Sequence, residues 1–93
     1  MNLLIEIKQV KKARLNFIKN FNIDDPNLIS NFYNARNNNS LCSIRVHKYL
    51  TDGGQKGKVE TARFLESINL NEKTIFKDLT DLDIDNIVKF LKQ

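Results

Sequence analysis

Residues 53–68 read Gly-Gly-Gln-Lys-Gly-Lys-Val-Glu-Thr-Ala-Arg-Phe-Leu-Glu-Ser-Ile. All three glycines of the 93-residue chain fall in the first five positions. The residues after them read as a helix: Val59, Ala62, Leu65 and Ile68 recur at every third position, with Phe64 widening the same face. A glycine-rich loop that opens directly onto a helix decides the fold class, because glycine allows φ > 0 or a close backbone approach. The helix start beyond it offers unpaired N–H groups and a partial positive charge. The stretch therefore reads as a phosphate seat, with Gly53, Gly54, Gln55, Lys56, Gly57 and Lys58 as candidate contacts.

Spacing narrows the kind of phosphate. A Walker loop needs four residues between its glycines and then Lys-Ser or Lys-Thr, and a dinucleotide fingerprint needs Gly-x-Gly-x-x-Gly after a strand. Residues 53–58 satisfy neither. Gly57-Lys58, an amphipathic helix, a connector and a second helix instead outline a helix-hairpin-helix unit. In such a unit hairpin amides meet a phosphate, and neighbouring lysines add the salt-sensitive part of affinity.

Downstream, Asn69 suits a left-handed helix end, and Leu70–Asp78 read as a connector. The last helix announces its start: Thr80 as N-cap, Asp83 completing a capping box, and Asp81 and Asp85 in the positive first turns. Ile84, Ile87, Val88 and Leu91 form its apolar stripe. The aspartates lack the alternating ligands, central glycine and closing glutamate of a calcium loop, so capping explains them and no metal is expected.

Upstream, residues 2–21 read as a helix whose apolar side carries Leu4, Ile7, Leu15 and Ile18, widened by Val10, Phe17 and Phe21. Lys8, Lys11, Lys12, Arg14 and Lys19 give this segment a basic surface that fits RNA, an anionic membrane or an acidic protein. Pro26, with Asp24 or Asp25 as cap, opens a second helix using Leu28, Ile29, Phe32, Tyr33 and Ala35, which ends at Asn37–Ser40. Phe32 and Tyr33, at helical spacing, read as core. Residues 41–50 fit two periods. Cys42, Ile44 and Val46 alternate as in a strand, while Leu41, Ile44, Tyr49 and Leu50 suit a helix. Arg36, Arg45 and Lys48 are secondary candidates for phosphate.

Composition agrees with a binding role. The net charge is +4 and the isoelectric point about 9.3, which favours a polyanionic partner. The excess lies at one end, since residues 1–20 set five cations against Glu6 alone. Cys42 stands alone, so neither an internal disulfide nor a thiolate cluster is available. His47 has no second histidine or cysteine pair beside it and reads as a structural residue. No serine–histidine–acid or cysteine–histidine set is evident, so no catalysis and no cofactor are expected. No apolar run approaches membrane-spanning length. The wealth of asparagine, lysine and isoleucine, with only three alanines, is what an AT-rich genome encodes.

Residues 50–93 resemble the N-terminal globular part of the small-subunit ribosomal protein thirteen family, in its bacterial and organellar form. The resemblance rests on Leu50-Thr51, Gly57-Lys58, Ala62 with Phe64-Leu65, Lys77-Asp78-Leu79-Thr80, and Ile84-Asp85 with Ile87, in order and without an obvious gap. The hydrophobic residue usual between two loop glycines is missing. Residues 1–49 do not show the family's short beginning. The family's long basic C-terminal tail, the part that approaches transfer RNA, is not carried by residues 1–93, so no such contact is expected of them.

The resemblance implies a non-catalytic structural component of the ribosome that binds ribosomal RNA and neighbouring ribosomal proteins in the subunit head, with loop 53–58 turned toward RNA or a subunit bridge. A mitochondrial ribosome is the expected setting, or else the cytoplasm of an AT-rich bacterium or its phage. The expected architecture is all-α: one domain of four to five helices, with 1–40 a basic helical part and 50–93 a ribosomal-protein-like part ending in the helix-hairpin-helix-like unit. Neither a membrane nor a small-molecule substrate is expected as partner. The rival expectation is a small phage or mobile-element protein that binds and inhibits a host nucleic-acid-handling protein.

Overall fold

A computed structural model describes residues 3–54 and 56–93, and Gln55 lies outside the described residues. The described residues form α1 (Leu3–Lys19), α2 (Leu28–Asn37), α3 (Val46–Lys48), α4 (Lys58–Ser67) and α5 (Asp81–Leu91). A π-helical turn (Tyr49–Gly53) continues α3, and a 3₁₀ turn (Phe76–Asp78) precedes α5. No strand occurs among them, only one isolated antiparallel bridge between Arg45 and Ile75. The expected all-α fold, a small helical bundle, is what forms.

The turn between α1 and α2 is built by side chains mimicking backbone. Asn22 Oδ1 accepts from the Asp24 N–H at 3.0 Å and Asp25 Oδ1 from the Asn27 N–H at 2.8 Å. Because Asp25 is spent on this turn, Pro26 stays inside it and α2 starts only at Leu28, behind an N-cap, Asn27, whose side chain makes no capping bond. The expected helix start at Pro26 is thereby corrected by two residues. Leu28, Phe32 and Ala35, spaced by four and three, form the buried face of α2.

Both periods read in residues 41–50 are present in succession. Residues 42–46 run alongside 74–77, with Val46 N–H donating to the Thr74 carbonyl at 2.9 Å, Phe76 N–H to Ile44 at 3.2 Å and Lys77 N–H to Cys42 at 2.9 Å. Ile44 and Val46 are buried by this pairing, and the chain then coils into α3.

Helix α4 buries Thr61 and Leu65, whereas Val59, expected on its core face, is 65% exposed. The helix ends as Asn69 permits. Asn69 takes φ 65°, its N–H donates to Glu66 and the Leu70 N–H to Leu65, which is a Schellman closure. Helix α5 begins with a complete capping box. The Asp83 N–H donates to Thr80 Oγ1 at 3.1 Å and the Thr80 N–H to Asp83 Oδ2 at 3.0 Å. Thr80→Ala is expected to cost about 1 kcal/mol and to lower Tm by about 4–8 °C. An unchanged thermal melt would remove the box from the stability of the fold.

The core centres on Tyr49. Its ring lies parallel to Phe17 at 4.5 Å and meets Phe21 at 5.1 Å, Phe76 at 5.4 Å and Phe32 at 5.6 Å, so α1, α2, the π turn and the 3₁₀ turn share one aromatic cluster. A second stack, Phe64 on Phe90 at 4.1 Å, ties α4 to α5. Helix α1 joins the core through Phe17 and Ile18, and Phe21 just beyond it does the same, while Ile7 and Leu15 remain exposed.

Candidate nucleic-acid interface

The glycine loop turns inward. A Cβ on Gly53 would stand 2.7 Å from the Ile18 carbonyl oxygen and 3.1 Å from Phe21 Cβ; one on Gly54 would stand 2.7 Å from the Leu50 carbonyl oxygen and 3.3 Å from Phe21 Cζ. No glycine has positive φ. These glycines therefore serve close approach, here to the end of α1, and not an unusual backbone turn. The loop's amides are also engaged: Gly54 N–H donates to Tyr49 at 3.1 Å and Lys56 N–H to Leu50 at 3.0 Å. Of the expected phosphate seat at 53–58, the amides of Gly54 and Lys56 are thus spent within the chain. The half-buried Lys56 carries its Nζ over the Phe90 ring at 5.1 Å. Gly57 and Lys58 are exposed, and the Lys58 carbonyl accepts from His47 Nε2 at 3.0 Å, a structural bond that matches the reading of His47.

The basic residues converge elsewhere. Between α1 and residues 43–48 run two adjoining hollows of about 280 and 260 Å³. Lys11, Arg14, Leu15, Ile18 and Lys48 line one; Arg14, Ile18, Ser43, Ile44, Arg45 and Lys48 line the other. Sharing Arg14, Ile18 and Lys48, they make one trough with an apolar floor and a cationic rim. No carboxylate lines it among the described residues.

Helical spacing places Lys11 and Arg14 on the side of α1 that faces α3. Arg14 is then fixed. Its Nε donates to the Ser40 carbonyl at 2.9 Å, and its terminal nitrogen donates to Ser43 Oγ. This leaves a guanidinium held in place at the centre of the trough, flanked by the exposed Lys11, Arg45 and Lys48. Lys8, Lys12 and Lys19 are exposed on α1 outside it.

Arg36 stands apart from the trough. Its Nη1 donates to the Leu79 carbonyl at 3.0 Å and to Asp81 Oδ1 at 2.9 Å, and its guanidinium lies 4.9 Å from the Tyr33 ring centre. It latches α2 to the start of α5.

The sequence did not single out Ser40 or Ser43, which lie 26 and 29 residues from the arginine they anchor. No local pattern marks such a pair. Asp81 and Asp83 lie in the first turn of α5 as expected, Asp83 closing the capping box, and Asp81 in addition pairs with Arg36, a contact the sequence did not foretell. Among the described residues, no helix is long and apolar enough to cross a membrane. Compared with protein-family models, with curated proteins and with solved structures, the chain matches none.

Proposed function

We propose that this chain is a non-catalytic RNA-binding protein, a structural component of the small ribosomal subunit that seats ribosomal RNA along the trough between α1 and residues 43–48. The observation that carries the reading is the convergence of Lys11, Arg14, Arg45 and Lys48 on one concave surface free of carboxylates among the described residues. Lysines and arginines spaced along a groove neutralise successive backbone phosphates and release their counterions. Lys8, Lys12 and Lys19 extend the cationic surface along the outer side of α1, and Lys58 adds a charge at the start of α4. The order of motifs from Leu50-Thr51 to Ile87 supports the ribosomal setting, in an organelle or in an AT-rich bacterium.

The test is a salt titration of RNA binding by the wild type and by the double variant Arg45→Ala/Lys48→Ala. Both side chains are exposed, so the fold is retained. The slope of log K against log salt is expected to shrink by about 1.4 on single-stranded RNA and about 1.8 on a duplex. An unchanged slope removes the trough from the interface. Co-sedimentation with small ribosomal subunits from the native source tests the setting.

One observation favours the rival reading. Leu15, 67% exposed, and Ile7, 48% exposed, stand among the lysines of α1, as on a helix that meets a protein. Recovery as a soluble one-to-one protein complex, without ribosomal subunits, would support that reading instead.

A further inference from the structure

A second pocket, of about 340 Å³, has chemistry opposite to that of the trough. Helix α1 and the residue after it contribute Phe17 and Asn20, α2 contributes Asn31 and Asn34, the turn between the two helices contributes Asp25, and the π turn contributes Tyr49. No lysine or arginine lines it among the described residues.

Asp25 is half-buried. Its Oδ1 accepts from the Asn27 N–H at 2.8 Å and its Oδ2 from Asn31 Nδ2 at 3.0 Å, both uncharged donors. The one ion pair among the described residues joins Arg36 to Asp81. Lys92 lines a neighbouring hollow with Asp25 but makes no ion pair with it, so the Asp25 carboxylate is unpaired there, in a chain of net charge +4. A carboxylate held in a hollow without a counter-charge attracts positive charge toward it.

One further feature points the same way: the side-chain amides of Asn20, Asn31 and Asn34 offer carbonyl oxygens as acceptors. The volume suits a small organic group. A bare divalent metal would find a single carboxylate where it needs several oxygens. An anion would be repelled, and a neutral heterocycle would leave the charge unanswered.

We propose that this pocket binds an organic ammonium or guanidinium group, held by the Asp25 carboxylate with the side-chain amides of Asn20, Asn31 and Asn34 around it. The group comes from a free polyamine or from a lysine or arginine side chain of a neighbouring polypeptide. The site is separate from the trough and stands whether or not the trough holds RNA.

The test is a titration of the full chain, followed by the side-chain amide NMR signals of Asn20, Asn31 and Asn34. Spermidine is used in one arm and N-acetyl-arginine amide in the other, with sodium chloride at matched ionic strength as control. Saturable shifts of these signals are expected with at least one amine and not with the salt. Binding by spermidine alone identifies the free polyamine as the source, and binding by the arginine derivative identifies a polypeptide side chain.

Asp25→Asn, which keeps the acceptor for the Asn27 N–H, is expected to weaken binding about tenfold. Asn34→Leu, at an exposed position, is expected to block it while leaving RNA affinity intact, and it carries the test if Asp25→Asn fails to fold. Absence of shifts with both amines, or undiminished binding by the variants, overturns the proposal.

Discussion

Tyr49→Ala is expected to remove about 3–5 kcal/mol of folding stability, as truncating a fully packed aromatic does. Small domains hold only about 5–15 kcal/mol in all. The variant should therefore unfold at far lower denaturant than the wild type, or be partly unfolded without any. The size of the effect comes from where the ring sits. It is shared by Phe17, Phe21, Phe32 and Phe76, which belong to four different segments, so a cavity there loosens several contacts at once.

Tyr49→Phe is the control, because it keeps the ring and removes the hydroxyl. It also isolates an alkaline effect. Burial first, and the Asp25 carboxylate second, push the Tyr49 phenol well above its ordinary value of 10.0. The folded protein then holds the phenolic proton after the unfolded chain has begun to release it. The contribution is present below about pH 10 and declines above it by about 1.4 kcal/mol per pH unit. Urea melts of the two proteins between pH 8 and 11 should diverge only at the alkaline end. Parallel curves throughout would mean that the phenol is free to ionise in the fold.

Gly53→Ala is expected to cost about 1–3 kcal/mol, the range for forcing atoms into a packed site. The added methyl would meet the Ile18 carbonyl oxygen at 2.7 Å, and a backbone atom cannot rotate out of the way as a flexible side chain does. Relief requires α1 to lift from the π turn, which would disturb Phe17 and Phe21 as well. Gly57→Ala is the matched comparison. Its Cβ would find only Glu60 atoms at 3.8 Å, an ordinary contact, so its melt should stay close to that of the wild type. Equal melts for the two variants would contradict the close approach of loop and helix.

This pair of glycines also shows what was legible in the sequence. Local devices were readable, because each lies within a few residues: the capping box at Thr80 and Asp83, the left-handed Asn69, and the apolar stripe of α5. The identity of the glycine loop as a special place was readable too. Its direction was not, since the reason for Gly53 lies 35 residues away at Ile18. The candidate site divides in the same way. Lys11, Arg45 and Lys48 stood out as cations, but Arg36 did not differ from them in sequence, although the fold spends it on Leu79 and Asp81. The spacing of three that puts Val59 on the core face drifts by about 60° per step around an α-helix. Val59 therefore faces outward, while Thr61, four residues before Leu65, is buried. The Asp25 pocket, drawn from two helices, their turn and the π turn, left no local signal.

The single ion pair among the described residues, Arg36 with Asp81, has a carboxylate side chain that is 74% exposed, so it adds little to stability. The architecture is held by aromatic packing, which salt does not screen, while the trough would grip its ligand through charges, which salt does. Ionic strength would thus act on the two separately: if the trough holds RNA as proposed, a concentrated salt wash would strip it and leave an intact protein ready to rebind.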